Sequence, residues 1–425
     1  MKTDDRMKFA PCPANDFAEF IATYFKRCSE RVPEIEGNAG KWCFEDLVPG
    51  MSDFDTRFFV RDSMTAEGWC RMSMEVGRVH FELARERKEW ARNLEHLPGV
   101  NLTWSELLDP KQYFPEFSQW TFHHGNEKRL KAARTMAAGH KWTADDERYH
   151  WKKISIYYGP YNRTIDPAIN LGVYENKYPL HSRLLHYLAP PVHSAVCLME
   201  KKSTPGKLEA MWRAKQLFPN PKTMQRVMDL IASHYESPDD LKEPGLTSLD
   251  EELTRYLECV VETLIKNGAA LECPKRPSVK ELKNAVAVMN GPPSFSQLFE
   301  NAKFARLMKG RLWFYGQDLS WFDSAPLVRN ELNRMRANFF EGPLRFYVKL
   351  AMNKDVSAHT ALNMMEGNVL DRAQVEACRK FAYASRPECP DSELKQRARE
   401  IAEIFDPFLH ALESLLRRAT TDFGK

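Results

Sequence analysis

Two carboxylates, Asp53 and Asp55, stand two positions apart in Ser52-Asp-Phe-Asp-Thr-Arg-Phe-Phe-Val60. Pro49, Gly50 and Ser52 read as a turn, and Asp53 to Val60 has the composition of a short strand. On a strand alternate side chains share a face, so Asp53, Asp55 and Arg57 point one way, while Phe54 and Phe58 point the other way, into a core. At about 3.3 Å of rise per residue, the two carboxylates lie roughly 6–7 Å apart at their Cα atoms. Like charges held that close raise a pKa or call for a cation between them. Magnesium, a hard ion held by one or two carboxylates plus substrate phosphates, is the expected cofactor.

Upstream, Gly40-Lys41 precedes Asp53-Phe54-Asp55 by eleven residues. The pattern resembles that of the polymerase-β-like nucleotidyltransferases, including the aminoglycoside nucleotidyltransferases: Gly followed by Gly or Ser, a spacer, then two acidic residues on a strand. Lys41 departs from it, standing where the family has a small residue in the loop that approaches phosphate. The resemblance implies a two-metal mechanism in which Asp53 and Asp55 hold Mg2+ and a nucleoside triphosphate, with ATP the expected donor. A nucleoside monophosphate would pass to an acceptor hydroxyl and pyrophosphate would leave. By the same resemblance Gly40 and Lys41 approach phosphate, Ser52 orients the first Asp, and Lys202 or Lys207 of a basic turn contacts the triphosphate. A third carboxylate on a neighbouring strand takes the acceptor proton; Glu116 is the candidate, with Glu106 behind it.

Two other readings fit the same residues. In one, the chain is a catalytically degenerate relative that serves as a binding scaffold. In the other, Glu45, Asp46, Asp53 and Asp55 ring a magnesium site in a mainly helical phosphate enzyme.

The elements that must position these residues follow from periodicity. Asp16–Arg31 reads as a helix, as does the stretch from about Thr65 to Leu94. The aromatic run Phe114 to His124 suits a strand with Glu116, Ser118 and Trp120 on one face. Thr143–Tyr158 opens with three acidic residues and reads as a helix. Gly159 to Val173 is rich in Pro and Gly and reads as a connection. Later segments carry helical apolar stripes: a helix opened by a capping box at Ser248–Glu251, one interrupted at Gly342-Pro343, and a long one from Ser392 that Pro407 should bend or split. The expected architecture is an α+β nucleotidyltransferase domain over residues 1–175, a mixed sheet with flanking helices, followed by a mostly α-helical domain over 176–425.

Composition bounds the rest. A chain of 425 residues suggests two domains or more, and 43% hydrophobic residues suffice for sizeable cores. With 61 basic and 58 acidic residues, net charge gives no argument for nucleic acid. No apolar run suits secretion or a membrane span, and the nine cysteines are never spaced Cys-x-x-Cys. The expectation is a cytoplasmic protein with reduced thiols and no membrane, whose partners are a nucleotide and a small-molecule or protein acceptor. His181, His186 and His193, at spacings of five and seven, do not form a zinc pattern and read as hydrogen-bonded or surface histidines.

Overall fold

The computed structural model describes residues 14–47, 52–87, 90, 93–160, 168–169, 191–204, 206–236, 243–268, 271–290, 295–319 and 322–423. The Pro49-Gly50 turn, His181, His186 and the expected boundary at 175/176 lie outside them. Strands β1 (Ile35–Lys41), β2 (Thr56–Val60), β3 (Leu102–Thr103) and β4 (Trp120–His124) form one mixed sheet in the order β3-β2-β1-β4. β1 is antiparallel to both β2 and β4, and β3 runs parallel to β2. Helix dominates the remainder. The helices that bear on the site are α1 (Ala14–Arg31), α2 (Ala66–Glu86), α3 (Ala144–Tyr157), α4 (Pro191–Glu200), α5 (Lys207–Leu217), α6 (Met308–Tyr315) and α7 (Leu394–Phe423).

Every residue of β2 is buried, because both faces of the sheet are covered. Phe58 and Val60 enter a core with Phe20 and Tyr24 of α1 and Trp69 and Val76 of α2. Phe59 enters a second core with Trp104, Phe117 and Trp120. The first core also takes in α6 and α7, so the last helix of the chain packs with the first two. A third core, residues 151–286, is closed by α3, α4 and α5 among others. This grouping departs from a simple division at residue 175: the C-terminal helices share their apolar interior with the sheet, and the middle of the chain forms its own.

The α2–α6 contact is close enough to require glycine. Gly310 donates its N–H to Ser73 Oγ at 2.8 Å, and a Cβ on Gly310 would lie 1.9 Å from the Ser73 carbonyl oxygen. Buried charge ties the same layers together. Arg306 donates to Glu106 at 2.6 and 2.9 Å and to Glu413 of α7 at 2.8 and 3.1 Å.

Several local expectations need correction. The strand after the acidic pair begins at Thr56, not Asp53, because its partner β1 ends at Lys41; one further bond, Lys41 N–H to the Asp55 carbonyl at 2.9 Å, extends the ladder. Gly40 and Lys41 are the end of β1 rather than a loop. Glu116 sits in a 3-10 turn, Pro115–Gln119, where Pro115 lacks the N–H a ladder needs, and the strand starts only at Trp120. The helix expected to open at Ser248 starts at Glu243, with Pro244 tolerated in its first turn. Pro407 neither splits nor ends α7, which runs 30 residues through it. Gly342-Pro343 follows a π-helical turn, Arg336–Glu341, joining two helices. Among the described residues no helix is long and apolar enough to cross a membrane.

Candidate functional site

At the end of β1, where β2 has lost its partner, the chain opens into a cavity of about 280 Å³. Asp53, Asp55 and Arg57 all line it, while Phe54 and Phe58 are buried in the core behind. The alternation expected of an extended segment therefore holds across the boundary between loop and strand. Lys41 and Trp42 enter from β1, Glu116 and Gln119 from the turn before β4, Tyr149 and Lys153 from α3, and Lys207 from α5. His96, Arg311 and Arg334 line it as well.

Trp42 turns the chain out of β1 with a φ of 73°, a left-handed conformation that non-glycine residues adopt at a cost. Its N–H is held by the Gln119 carbonyl at 2.8 Å. The conformation puts the indole between two cations, 5.7 Å from Lys41 Nζ and 5.6 Å from Lys207 Nζ, with the His193 ring 4.8 Å away on edge.

The loop after β1 is anchored to α5. Asp46 is buried and accepts the Leu208 N–H at 2.9 Å, so it satisfies a donor at the helix N-terminus. A Cβ on Gly206 would meet Asp46 Oδ2 at 2.5 Å, so glycine is what lets the carboxylate approach. Asp46 is thus a helix anchor, not a member of a ring of metal ligands. It also offsets the unfavourable placement of a cation, Lys207, at the positive end of a helix.

Glu116 is the electrostatic keystone of the cavity wall. Arg57 donates to its Oε1 from Nε at 3.1 Å and Nη2 at 2.6 Å, and the Trp120 indole N–H reaches the same oxygen at 3.1 Å. Lys41 Nζ stands 3.5 Å from Oε2. Burial alone would raise the Glu116 pKa, but Arg57, Lys41 and Lys153 outweigh it and hold the carboxyl well below its ordinary range. A carboxylate stabilised this strongly is a poor proton acceptor. The same balance, burial opposed by Arg57 and Lys41, keeps Asp55 below its ordinary value. Neither neighbour of the central strands, β3 or β4, carries a carboxylate. Glu106, the second candidate, is engaged by Arg306 and the Thr103 N–H.

Lys153 and Lys207 differ from the other cations: among the described residues each has a ring contact, to Tyr149 at 5.3 Å and to Trp42 at 5.6 Å, and no ion pair. Burial first, then Lys41, pushes Lys153 down to about 8, and burial lowers Lys207. These are cations with charge to spare for an anion.

Donor atoms of Asp53, Glu95 and His96 converge, one from each lying within 4.8 Å of the others. His96 Nε2 is 3.2 Å from Glu95 Oε1, and its Nδ1 is 2.8 Å from the Tyr315 hydroxyl. Burial and Arg311 push His96 down to about 4, so the ring is neutral. Asp53 is therefore the carboxylate best placed to hold a cation, with Asp55 on the same wall. Oxygen donors fit Mg2+, and the added imidazole nitrogen extends the fit to Mn2+.

Of the residues singled out from sequence, Asp53, Asp55, Glu116, Lys41 and Lys207 line the cavity. Gly40 does not: a Cβ there would lie 2.6 Å from the Phe54 ring, so its glycine serves packing rather than phosphate. Ser52 is buried outside the lining, and Lys202 is exposed in the turn after α4. Sequence reasoning missed Glu95, His96, Lys153, Arg311 and Arg334, which come from four other segments and carry no shared spacing.

A second cluster lies beside the cavity. His150 of α3 meets His193 and Cys197 of α4, all fully buried, with one donor atom from each within 4.8 Å of the others. Burial holds His150 well below its ordinary pKa and pushes His193 down to about 4, so both rings are neutral.

Searches of protein families, of curated proteins and of solved structures find no match for this chain.

Proposed function

We propose that the cavity binds a nucleoside triphosphate through a divalent cation held at Asp53 and Asp55, and that the protein is a nucleotidyltransferase passing the nucleoside monophosphate to an acceptor hydroxyl. One observation carries this reading: the two carboxylates share a cavity with Lys41, Lys153 and Lys207, and two of those lysines have no ion pair among the described residues. A carboxylate pair alone would suit a metal, and a lysine cluster alone would suit any anion. Together they match a metal-chelated polyphosphate. The cation, when bound, would polarise the phosphoryl oxygens and neutralise developing charge. Lys207 and Lys153 would hold the phosphate tail. Glu116 keeps Arg57 and Lys41 in place and does not take the acceptor proton.

The test is isothermal titration of ATP, GTP, CTP and UTP, with Mg2+ and then with Mn2+, on the wild type, an Asp53→Asn/Asp55→Asn variant and Lys207→Ala. Metal-dependent binding of one nucleotide, abolished in the double variant and weakened about tenfold in Lys207→Ala, supports the reading; tenfold corresponds to about 1.4 kcal/mol. If the wild type binds none of the four, the reading fails. The degenerate scaffold then takes its place, favoured by the absence of a carboxylate on β3 and β4.

A further inference from the structure

We propose that His150, His193 and Cys197 form a zinc site, built between α3 and α4 and separate from the Asp53–Asp55 wall. His193 and Cys197 stand four residues apart, on one face of α4, and α3 brings His150 against that face. Two imidazoles and a thiol are soft or borderline donors of the kind that select Zn2+ over Mg2+.

The hydrogen bonds to Thr204 and Ser194 engage one nitrogen on each ring and leave the other, His193 Nδ1 and His150 Nε2, available to a metal. His193 donates its Nε2–H to the Thr204 carbonyl at 2.7 Å, which fixes the tautomer and leaves Nδ1 with a lone pair. Cys197 Sγ lies 4.0 Å from Nδ1 and 3.9 Å from Nε2, in both cases too long for a good hydrogen bond. A metal with bonds of about 2.0–2.1 Å to nitrogen and about 2.3 Å to sulfur would set Sγ and Nδ1 roughly 3.6 Å apart, a contraction of a few tenths of an ångström. His150 Nδ1 pairs with Ser194 Oγ at 3.1 Å. Its Nε2 is buried with no hydrogen-bond partner, the kind of orphaned polar atom that calls for an explanation. The Thr204 N–H also points at Cys197 Sγ at 3.3 Å, where it would stabilise a thiolate. A metal-ligating histidine characteristically donates its other ring N–H to a carbonyl or hydroxyl, and both rings here are placed to do so.

Three protein ligands leave the fourth tetrahedral position open, the arrangement found in zinc sites that bind water or substrate rather than in closed structural ones. His193 and its neighbour Ser194 also line the cavity, so the cluster adjoins the cavity's α4 wall. The inference does not depend on the nucleotide reading, because the ligand sets share no residue.

Full-length protein, stripped of metal with a chelator, would be titrated with Co2+ and with Zn2+. The expected result is one Co2+ per chain giving a tetrahedral visible spectrum with a sulfur-to-cobalt charge-transfer band, displaced by one equivalent of Zn2+. Cys197→Ser should lose the charge-transfer band, and His150→Gln should lose stoichiometric binding. Ser194→Ala, which removes only the support of His150, should weaken Zn2+ roughly 10–100-fold. The Asp53→Asn/Asp55→Asn variant should keep the signal unchanged. Circular dichroism establishes that each variant is folded. Wild type that takes up no stoichiometric Co2+ or Zn2+, or a Co2+ spectrum without sulfur character, overturns the proposal without touching the nucleotide reading.

Discussion

Arg57 sets two nitrogens on a single oxygen of Glu116, at 3.1 and 2.6 Å, in a wall where both side chains are almost wholly buried. Removing one charge strands the other. Arg57→Met should destabilise the protein by about 3–5 kcal/mol, since the remaining carboxylate loses its principal partner. Arg57→Met/Glu116→Gln should recover a substantial part of that loss, because neither half of the Arg57–Glu116 pair is left without the other. Urea denaturation of the three proteins measures both steps. A double variant no more stable than Arg57→Met would show that Arg57 acts through packing, not through Glu116.

Lys153 gives the cavity a pH limit. Burial and Lys41 bring it to about 8, so it is charged at neutral pH and loses its proton just above. Anion affinity should therefore fall as pH rises from 7 to 9, and the fall should be shallower in Lys153→Met. Titration of inorganic triphosphate at several pH values reads this directly; an affinity flat across that range would remove Lys153 from the binding wall.

Acid should unfold the protein through its buried ion pairs. Burial opposes ionisation of Glu106 and Glu331, but Arg306 for the first, and Arg334 with Arg311 for the second, hold each down to about 2. Both folded values are depressed, so their contribution is complete above about 4.5 and is lost as pH falls from there toward 2. The urea midpoint should drop through that window. In Glu331→Gln, less stable at pH 7, the slope should be flatter, and an unchanged slope would assign the acid loss to other groups.

Two glycines should respond oppositely to the same change. Gly310→Ala drives a methyl into the Ser73 carbonyl 1.9 Å away and should cost about 3 kcal/mol or more by separating α2 from α6. Gly139, with nothing within 4 Å of the same added atom, should tolerate alanine or gain about 0.5–1 kcal/mol. Thermal melts of the two single variants suffice to compare them.

What could be read from the chain was whatever depended on near neighbours. The side-chain alternation through Asp53, Phe54, Asp55, Arg57 and Phe58 is a property of extended backbone, and it survives although the strand itself starts at Thr56. The acidic residues at the start of Thr143–Tyr158 do mark the first turn of α3, and one of them, Asp146, closes a capping box with Thr143. Glu116 misled because its aromatic neighbours suggested a strand, whereas Pro115 makes a turn. Lys153 and His96 were hidden because nothing local distinguishes them from surface residues; only the packing of α3 and α6 turns them inward. His193 and Cys197 carried a legible signal, the four-residue spacing, that a search for histidine pairs passes over. Asp46 drew notice as an acid, but its role depends on the N-terminus of a helix 162 positions away.

The packing of α7 against α2 also governs how the chain can be made. Trp69, Met72, Val76 and Val79 of α2 leave the ribosome early, yet part of their cover, in α6 and α7, is synthesised last. At roughly 5–20 residues per second, that apolar stripe waits on the order of tens of seconds for its partner. Until then that stripe is apolar surface without its final cover. A chain cut short before α7 would not be a smaller working protein but one whose first core was never closed.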